Sequence, residues 1–148
     1  MYILGIGGYT LDAAAVLVKD GELIAAVEEE RFTRRKHEGG MPYKAIDYCL
    51  KAADITLKDI DHIGFSYKPC LRLSKRIPYR ILRIPKAPFY SLGYIVDEIN
   101  STGHYLSELK QLKQNSSTRI HYLEHHVTHA ASVFLTSPFN ESAILTMD

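Results

Sequence analysis

Four histidines, His121, His125, His126 and His129, fall within nine positions of the stretch HYLEHHVTHAAS, out of seven in the whole chain. Imidazole is the side chain best suited to metal binding and proton transfer near neutral pH. If the segment from residue 125 is helical, His125 and His129 lie four apart and share one face. That spacing lets two imidazoles reach one metal ion, as in helical zinc motifs. His126 then points about a quarter turn away and is available as a base. A bare HxxxH also describes ordinary surface histidines, so the pair needs a third ligand. Asp148 is the candidate, at the end of the apolar run AILTM. A strand there, parallel to the strand that feeds the histidine helix, would bring Asp148 to the sheet edge that carries His125. Two histidines and a carboxylate leave coordination positions open, which suits Fe(II) or a catalytic zinc.

A second constellation is EEERFTRRKH, residues 28–37. Arg31, Arg34, Arg35 and Lys36 place fixed positive charge just after an apolar strand. Guanidinium and ammonium groups bind phosphate well. The alternative is a solvated charged helix whose acids and bases neutralise one another. A third is GIGGYTLDA, where glycines between two strands expose backbone N–H groups that can cradle an anion. Tight-turn glycines explain it equally, and it carries no Walker or Rossmann pattern. The fourth is basic: Lys68, Arg72, Lys75, Arg76, Arg80, Arg83 and Lys86 lie among four prolines with no acid. Such charge can track a nucleic-acid backbone, but Tyr79, Phe89 and Tyr90 are not interleaved as a stacking platform. Residues 70–88 are expected to form a peripheral flap. Nothing near Cys70 marks it as a nucleophile.

These residues must be positioned by surrounding elements. YILGIGG predicts a buried strand. Two apolar runs around Asp20-Gly21 predict a hairpin, since that dipeptide accepts the positive φ of a tight turn. The chain therefore opens on three strands, antiparallel to one another. A helix is expected from Pro42, with Ala45, Ile46, Cys49, Leu50 and Ala53 as its core stripe. TLKD predicts a helical turn capped by Thr56, and HIGFSY a strand. Residues 95–113 predict a helix, RIHYLE a strand, HHVTHAASVFLTS a helix and ESAILTMD a last strand. The order βββαβαβ implies an α/β fold: a mixed sheet with helices on its faces. Ligands in such sheets sit beyond the carboxyl ends of the strands. A strand that stops on Asp148 suggests part of a longer protein.

The totals exclude several classes. The 148 residues are 46% hydrophobic and 24% charged, ordinary for a globular domain with its own core. A net charge of +1 points to no polyanionic partner. Two cysteines, Cys49 and Cys70, without a CxxC pattern argue against a disulfide framework or structural zinc knot and fit a reducing, cytoplasmic setting. The apolar N-terminus is broken by glycines and Asp12 and lacks a basic flank, unlike a signal peptide. No run reaches membrane-spanning length.

Taken together, EEERFTRRKH after a DG hairpin and HHVTHAAS followed by AILTMD resemble the N-terminal region of the O-carbamoyltransferases, the nodulation-factor and antibiotic carbamoylating enzymes. The resemblance spans the chain apart from a basic helical insert at about residues 68–115. It implies that residues 1–148 are the N-terminal subdomain of a longer enzyme with an actin-like ATPase (ribonuclease-H-like) core. The implied reaction joins carbamoyl phosphate and ATP into a carbamoyl adenylate, then passes the carbamoyl group to a hydroxyl of a small-molecule or sugar acceptor. The family's metal ligands match His125, His129 and Asp148, with a further carboxylate from a later segment. The metal is Fe(II) or another divalent ion, and ATP brings Mg2+ in the full-length enzyme. The carbamoyl-phosphate lysine matches Lys36, and Asp12 and Arg34 are the accompanying substrate-binding candidates. Lys36 and His126 are the candidate catalytic residues. One departure is Leu11, where the family carries a histidine that helps hold carbamoyl phosphate. Leucine cannot donate a hydrogen bond, so that role falls to another residue such as His37, or the donor's binding changes. A tRNA threonylcarbamoyl-transferase relative, or a non-catalytic metal- or nucleic-acid-binding module, are the alternatives. Neither a membrane nor a nucleic-acid partner is expected, and a homodimer is left open.

Overall fold

The computed structural model describes residues 1–68, 77–85 and 87–147, apart from the side chain of Glu98. The fold is mixed α/β, built on one five-stranded sheet of order β3-β2-β1-β4-β5. The opening strands β1 (Tyr2–Gly7), β2 (Ala14–Lys19) and β3 (Glu22–Glu28) form an antiparallel meander. Asp20 and Gly21 make the β2–β3 turn with φ of 52° and 90°, the left-handed geometry that the DG dipeptide tolerates. Next come the single turn α1 (Glu30–Thr33), helix α2 (Tyr43–Ala52) and a 3-10 turn (Leu57–Asp59). The Asp59 carboxylate accepts from both the backbone N–H and the hydroxyl of Thr56, which fixes that turn and holds the Asp59 pKa down. Strand β4 (His62–Phe65) runs parallel to β1, and β5 (Arg119–Tyr122) parallel to β4. Between them lies α3 (Pro88–Leu112), and α4 (His125–Phe134) follows β5.

Strand alternation divides the sheet into two unlike faces. Leu4, Ile6, Ala15, Leu17, Ile63 and Phe65 point one way and are fully buried. Ala45, Ile46 and Cys49 of α2 cover them, joined by Tyr105, Leu109 and Leu112 of α3. Burial pushes the Cys49 thiol pKa up, so it serves as a small core residue. The end of α3 is therefore core. Residues 77–83 are also helical, and Tyr79, Ile81 and Leu82 there are exposed. Residues 70–76 and 86 of the flap, with Cys70, Arg72, Lys75, Arg76 and Lys86, lie outside the described residues.

Two expectations are corrected. Helices were expected on both faces, but those that pack on the sheet cover one. The other face carries Gly5, Gly7, Gly64, Ala14 and Ala26 beside Ile3 and Val16, and an open groove of about 590 Å3 runs along it. The last expected strand is not formed either. Residues 142–147 pair with no strand, β5 remains the sheet edge, and Leu145 and Met147 are each 82% exposed. The segment lies instead along α4, in a groove lined by His129, Phe134 and Ile144.

A buried carboxylate ties the meander to α2. Glu29 is 7% exposed, and its two oxygens accept the N–H groups of Lys44 (3.2 Å) and Ala45 (2.8 Å). These are unpaired first-turn donors, and a carboxylate there also suits the helix dipole. Glu29→Ala should lower the unfolding free energy by about 1–3 kcal/mol. Glu29→Gln, which keeps one acceptor oxygen, should lose less. Urea denaturation of the two variants measures the difference.

Candidate active site

The carboxyl ends of parallel strands β1 and β4 lie at one sheet edge, where α4 begins. The loop after β1, residues 8–12, crosses this edge. Gly8 has φ +68°, and a Cβ on it would sit 2.0 Å from the Asp12 carbonyl oxygen, so the loop closes on itself only with glycine there. The turn after α1 docks on the same loop. Ala13 N–H donates to the Glu38 carbonyl (2.9 Å) and Gly40 N–H to the Tyr9 carbonyl (2.6 Å). A Cβ on Gly39 would lie 2.6 Å from the Thr10 carbonyl oxygen, so this approach too requires a bare backbone.

The docking carries the basic turn to Asp12. His37 Nδ1 donates to Asp12 Oδ1 at 2.9 Å, and this hydrogen bond, aided by the carboxylate charge, raises the His37 pKa. His37 backbone N–H donates to Glu30 Oε2 (3.2 Å). Of the four expected cations, Arg31 pairs with Glu28 (2.9 Å) and Glu30 (3.3 Å), and Arg35 lies 3.7 Å from Glu38. The neutralised-helix alternative thus holds for those two. Arg34 and Lys36 are exposed and form no ion pair with the described residues.

On the loop's other side, α3 closes a cleft of about 670 Å3. Its lining includes Gly8, Thr10 and Leu11 of the loop, Ser66 and Tyr67 after β4, Tyr94 and Thr102 of α3, and His125 at the start of α4. Glu108 of α3 pins this wall: it accepts from the hydroxyls of Tyr9 (2.9 Å) and Tyr43 (3.1 Å) and from His104 Nδ1 (3.1 Å). Burial and the Glu108 carboxylate both drive the Tyr9 and Tyr43 pKa values up. Sequence reasoning missed Glu108 altogether. Its partners lie 99 and 65 positions away, beyond any local pattern.

The histidine helix forms as expected. His125 and His129 are one turn apart, with Nε2 atoms 3.1 Å from each other and ring centroids 4.4 Å apart. His126 is exposed, its ring 5.7 Å from that of His125. His121 does not join them. It faces His62 across β4–β5, Nε2 to Nδ1 at 2.9 Å. Among the described residues, no three histidine, cysteine, aspartate or glutamate side chains converge as a metal site. Asp148 lies outside the described residues, and the strand expected to carry it is not present over 142–147.

Protonated His37 is stabilised by Asp12, so this contribution is complete below the ordinary histidine pKa of about 6.5. It is lost as pH rises through the raised value. NMR titration of the His37 ring should give a midpoint above the ordinary one. Asp12→Asn should return that midpoint toward normal; an unchanged midpoint would separate the two side chains.

Comparison with known proteins gives the setting. The chain is 39% identical to an uncharacterized protein of Synechocystis over 99% of its own length and 25% of that protein's. It is 37% identical to the nodulation protein NolNO of Sinorhizobium fredii, over 93% of this chain and 19% of that one. A 19.2 kDa Rhizobium etli protein matches 36% of the chain at 52% identity. The chain thus spans a quarter or less of the length of the first two relatives. No helix among the described residues is long and apolar enough to cross a membrane. The family profile described as carbamoyltransferase N-terminus matches residues 2–148, insert included, and the chain belongs to that family.

Proposed function

We propose that this chain is the N-terminal portion of an ATP-dependent O-carbamoyltransferase that draws on carbamoyl phosphate and carbamoylates a hydroxyl acceptor. The observation that carries the reading is the loop at residues 8–12. It holds the basic turn through Ala13, Gly40 and Asp12, and it lines one cleft with His125. Anion-binding groups and the histidine helix thereby meet at one sheet edge. An actin-like ATPase core and the ATP–Mg2+ site belong to this proposal, the latter mostly on later parts of the enzyme.

Lys36 and Arg34 offer exposed positive charge to the carbamoyl-phosphate oxygens. His37 takes the place that Leu11 leaves vacant: its imidazole lies on Asp12, the residue next to Leu11, and its raised pKa favours the charged, anion-binding form. Metal–nitrogen bonds of about 2.0–2.1 Å set neighbouring ligand nitrogens about 3.0–3.4 Å apart. The 3.1 Å separation of the His125 and His129 nitrogens fits that spacing. These two residues would hold a divalent ion such as Fe(II), with Asp148 and a later carboxylate completing the set. The ion supplies Lewis acidity toward a carbonyl or hydroxyl oxygen. In the transfer step, the acceptor oxygen bonds to the carbamoyl carbon, the bond from that carbon to AMP breaks, and His126 is the candidate base for the hydroxyl proton.

In the full-length enzyme, Lys36→Ala should raise the KM for carbamoyl phosphate about tenfold. An unchanged KM would remove Lys36 from that role. His125→Ala and His129→Ala should each weaken Fe(II) or Zn(II) binding at least about tenfold in a metal titration. Wild-type affinity should fall as pH drops through the histidine range, since imidazole must be neutral to coordinate. Equal metal binding by wild type and both variants would return the pair to ordinary surface histidines.

A further inference from the structure

The first half of α3 and the short helix at residues 77–83 carry apolar side chains outward. In α3, Phe89, Leu92, Val96 and Ile99 recur at steps of three and four, so they line one helical face. All four are exposed, Phe89 at 91%. Over the same turns the residue that α3 buries is Ser91, and its fully buried hydrophobic residues, Tyr105, Leu109 and Leu112, all lie in the last turns. On the short helix, Tyr79, Ile81 and Leu82 are exposed as well. Arg80 ties the two helices together: its guanidinium lies 5.3 and 4.1 Å from the ring centroids of Tyr90 and Tyr94. Arg83, beside Leu82, is exposed and lies over the Tyr79 ring. Between Asp61 and Asp97 the sequence holds seven lysines and arginines and no acidic residue.

We propose that this surface docks the protein on a bilayer of anionic phospholipid, lying at the headgroup level without crossing it. Helices that rest on membranes combine outward apolar side chains with lysine and arginine. Here Leu82, Phe89, Leu92, Val96 and Ile99 supply the apolar part, and Arg80 and Arg83 supply cations for the lipid phosphates. Tyr79 and Tyr90 are exposed beside them, and tyrosine suits the boundary between headgroups and acyl chains. The charge chooses among occupants. A second copy of this face would bring the same unbalanced positive charge against it, and like charges so juxtaposed repel. A nucleic acid would answer the charge, but Leu82, Leu92, Val96 and Ile99 have no flat ring on which a base could stack. An anionic bilayer answers both features, with phosphate for the cations and hydrocarbon for the aliphatic side chains. Such docking needs no spanning helix, and none is present among the described residues.

The test is flotation of the full-length protein with vesicles of equal parts phosphatidylcholine and phosphatidylglycerol, against vesicles of phosphatidylcholine alone. The protein should float with the anionic vesicles and not with the neutral ones. High salt should release it, because the attraction to the headgroups is screened. Leu82→Ser combined with Phe89→Ser leaves every cation in place and should weaken partition at least about tenfold. Arg83→Ala leaves the apolar face in place and should weaken it about fivefold. All three side chains are exposed, so the melting curves should not move; Arg83→Ala serves if the double variant fails to fold. No partition by the full-length protein, the result expected if a later segment covers this face, would overturn the proposal. Equal partition into neutral vesicles, or unchanged partition in the folded variants, would do the same. A smaller oligomer in the Leu82→Ser, Phe89→Ser variant would assign the face to a second copy instead. Binding of a single-stranded oligonucleotide that responds to Arg83→Ala alone, without vesicle binding, would assign it to nucleic acid.

Discussion

The docking of two backbone segments on each other organises the functional edge of this molecule. Residues 38–40 approach residues 9–13 so closely that Gly39 has no room for a Cβ, and Gly8 is packed as tightly against the loop's own Asp12 carbonyl. Two backbone hydrogen bonds, Ala13 to Glu38 and Gly40 to Tyr9, close the contact. From it follow the His37–Asp12 pairing, the direction in which the basic turn leaves the sheet, and the lead-in to Pro42 and α2. A side chain at Gly39 would separate the turn from the loop, and the basic turn would then no longer be held beside the strand ends.

The sheet supports this contact unevenly. Its buried face is filled by α2 and by the last turns of α3. The opposite face carries glycines and alanines beside Ile3 and Val16 and is open. Glu29 and Glu108 are polar fastenings between the layers. Glu29 satisfies first-turn donors of α2 from inside the core. Glu108 fastens α3 to Tyr9 on the loop and Tyr43 on α2. Both carboxylates act across long stretches of chain, so the site depends on tertiary packing and not on its own segment alone.

Local signals in the sequence described much of this. Asp20-Gly21 marked the hairpin, Pro42 the start of α2, and the Ala45–Cys49 spacing its buried stripe. HxxxH gave the shared helical face, because each of these is a pattern within one element. What could not be read was non-local. Nothing near Glu29 announces that it caps a helix fifteen positions on, and nothing near Tyr105 or Leu109 separates a core helix from a solvated insert. The AILTM run shows the opposite failure. Its alternation is that of a strand, yet a strand is a property of two segments, and over 142–147 the run pairs with no strand among the described residues.

The charge pattern along the loop's two sides gives the site its direction. Arg31 and Arg35 are taken up by neighbouring acids, so the basic turn does not present four equal cations. His37 is paired with Asp12, which leaves Arg34 and Lys36 as the exposed cations of the turn without an ion pair among the described residues. Across the loop, the cleft under α3 has aromatic and hydroxyl walls with no fixed charge among the described residues. The five-residue loop thus separates a basic turn from an aromatic, hydroxyl-lined cleft. His125 lies at the end of the neutral side, one helical turn from His129.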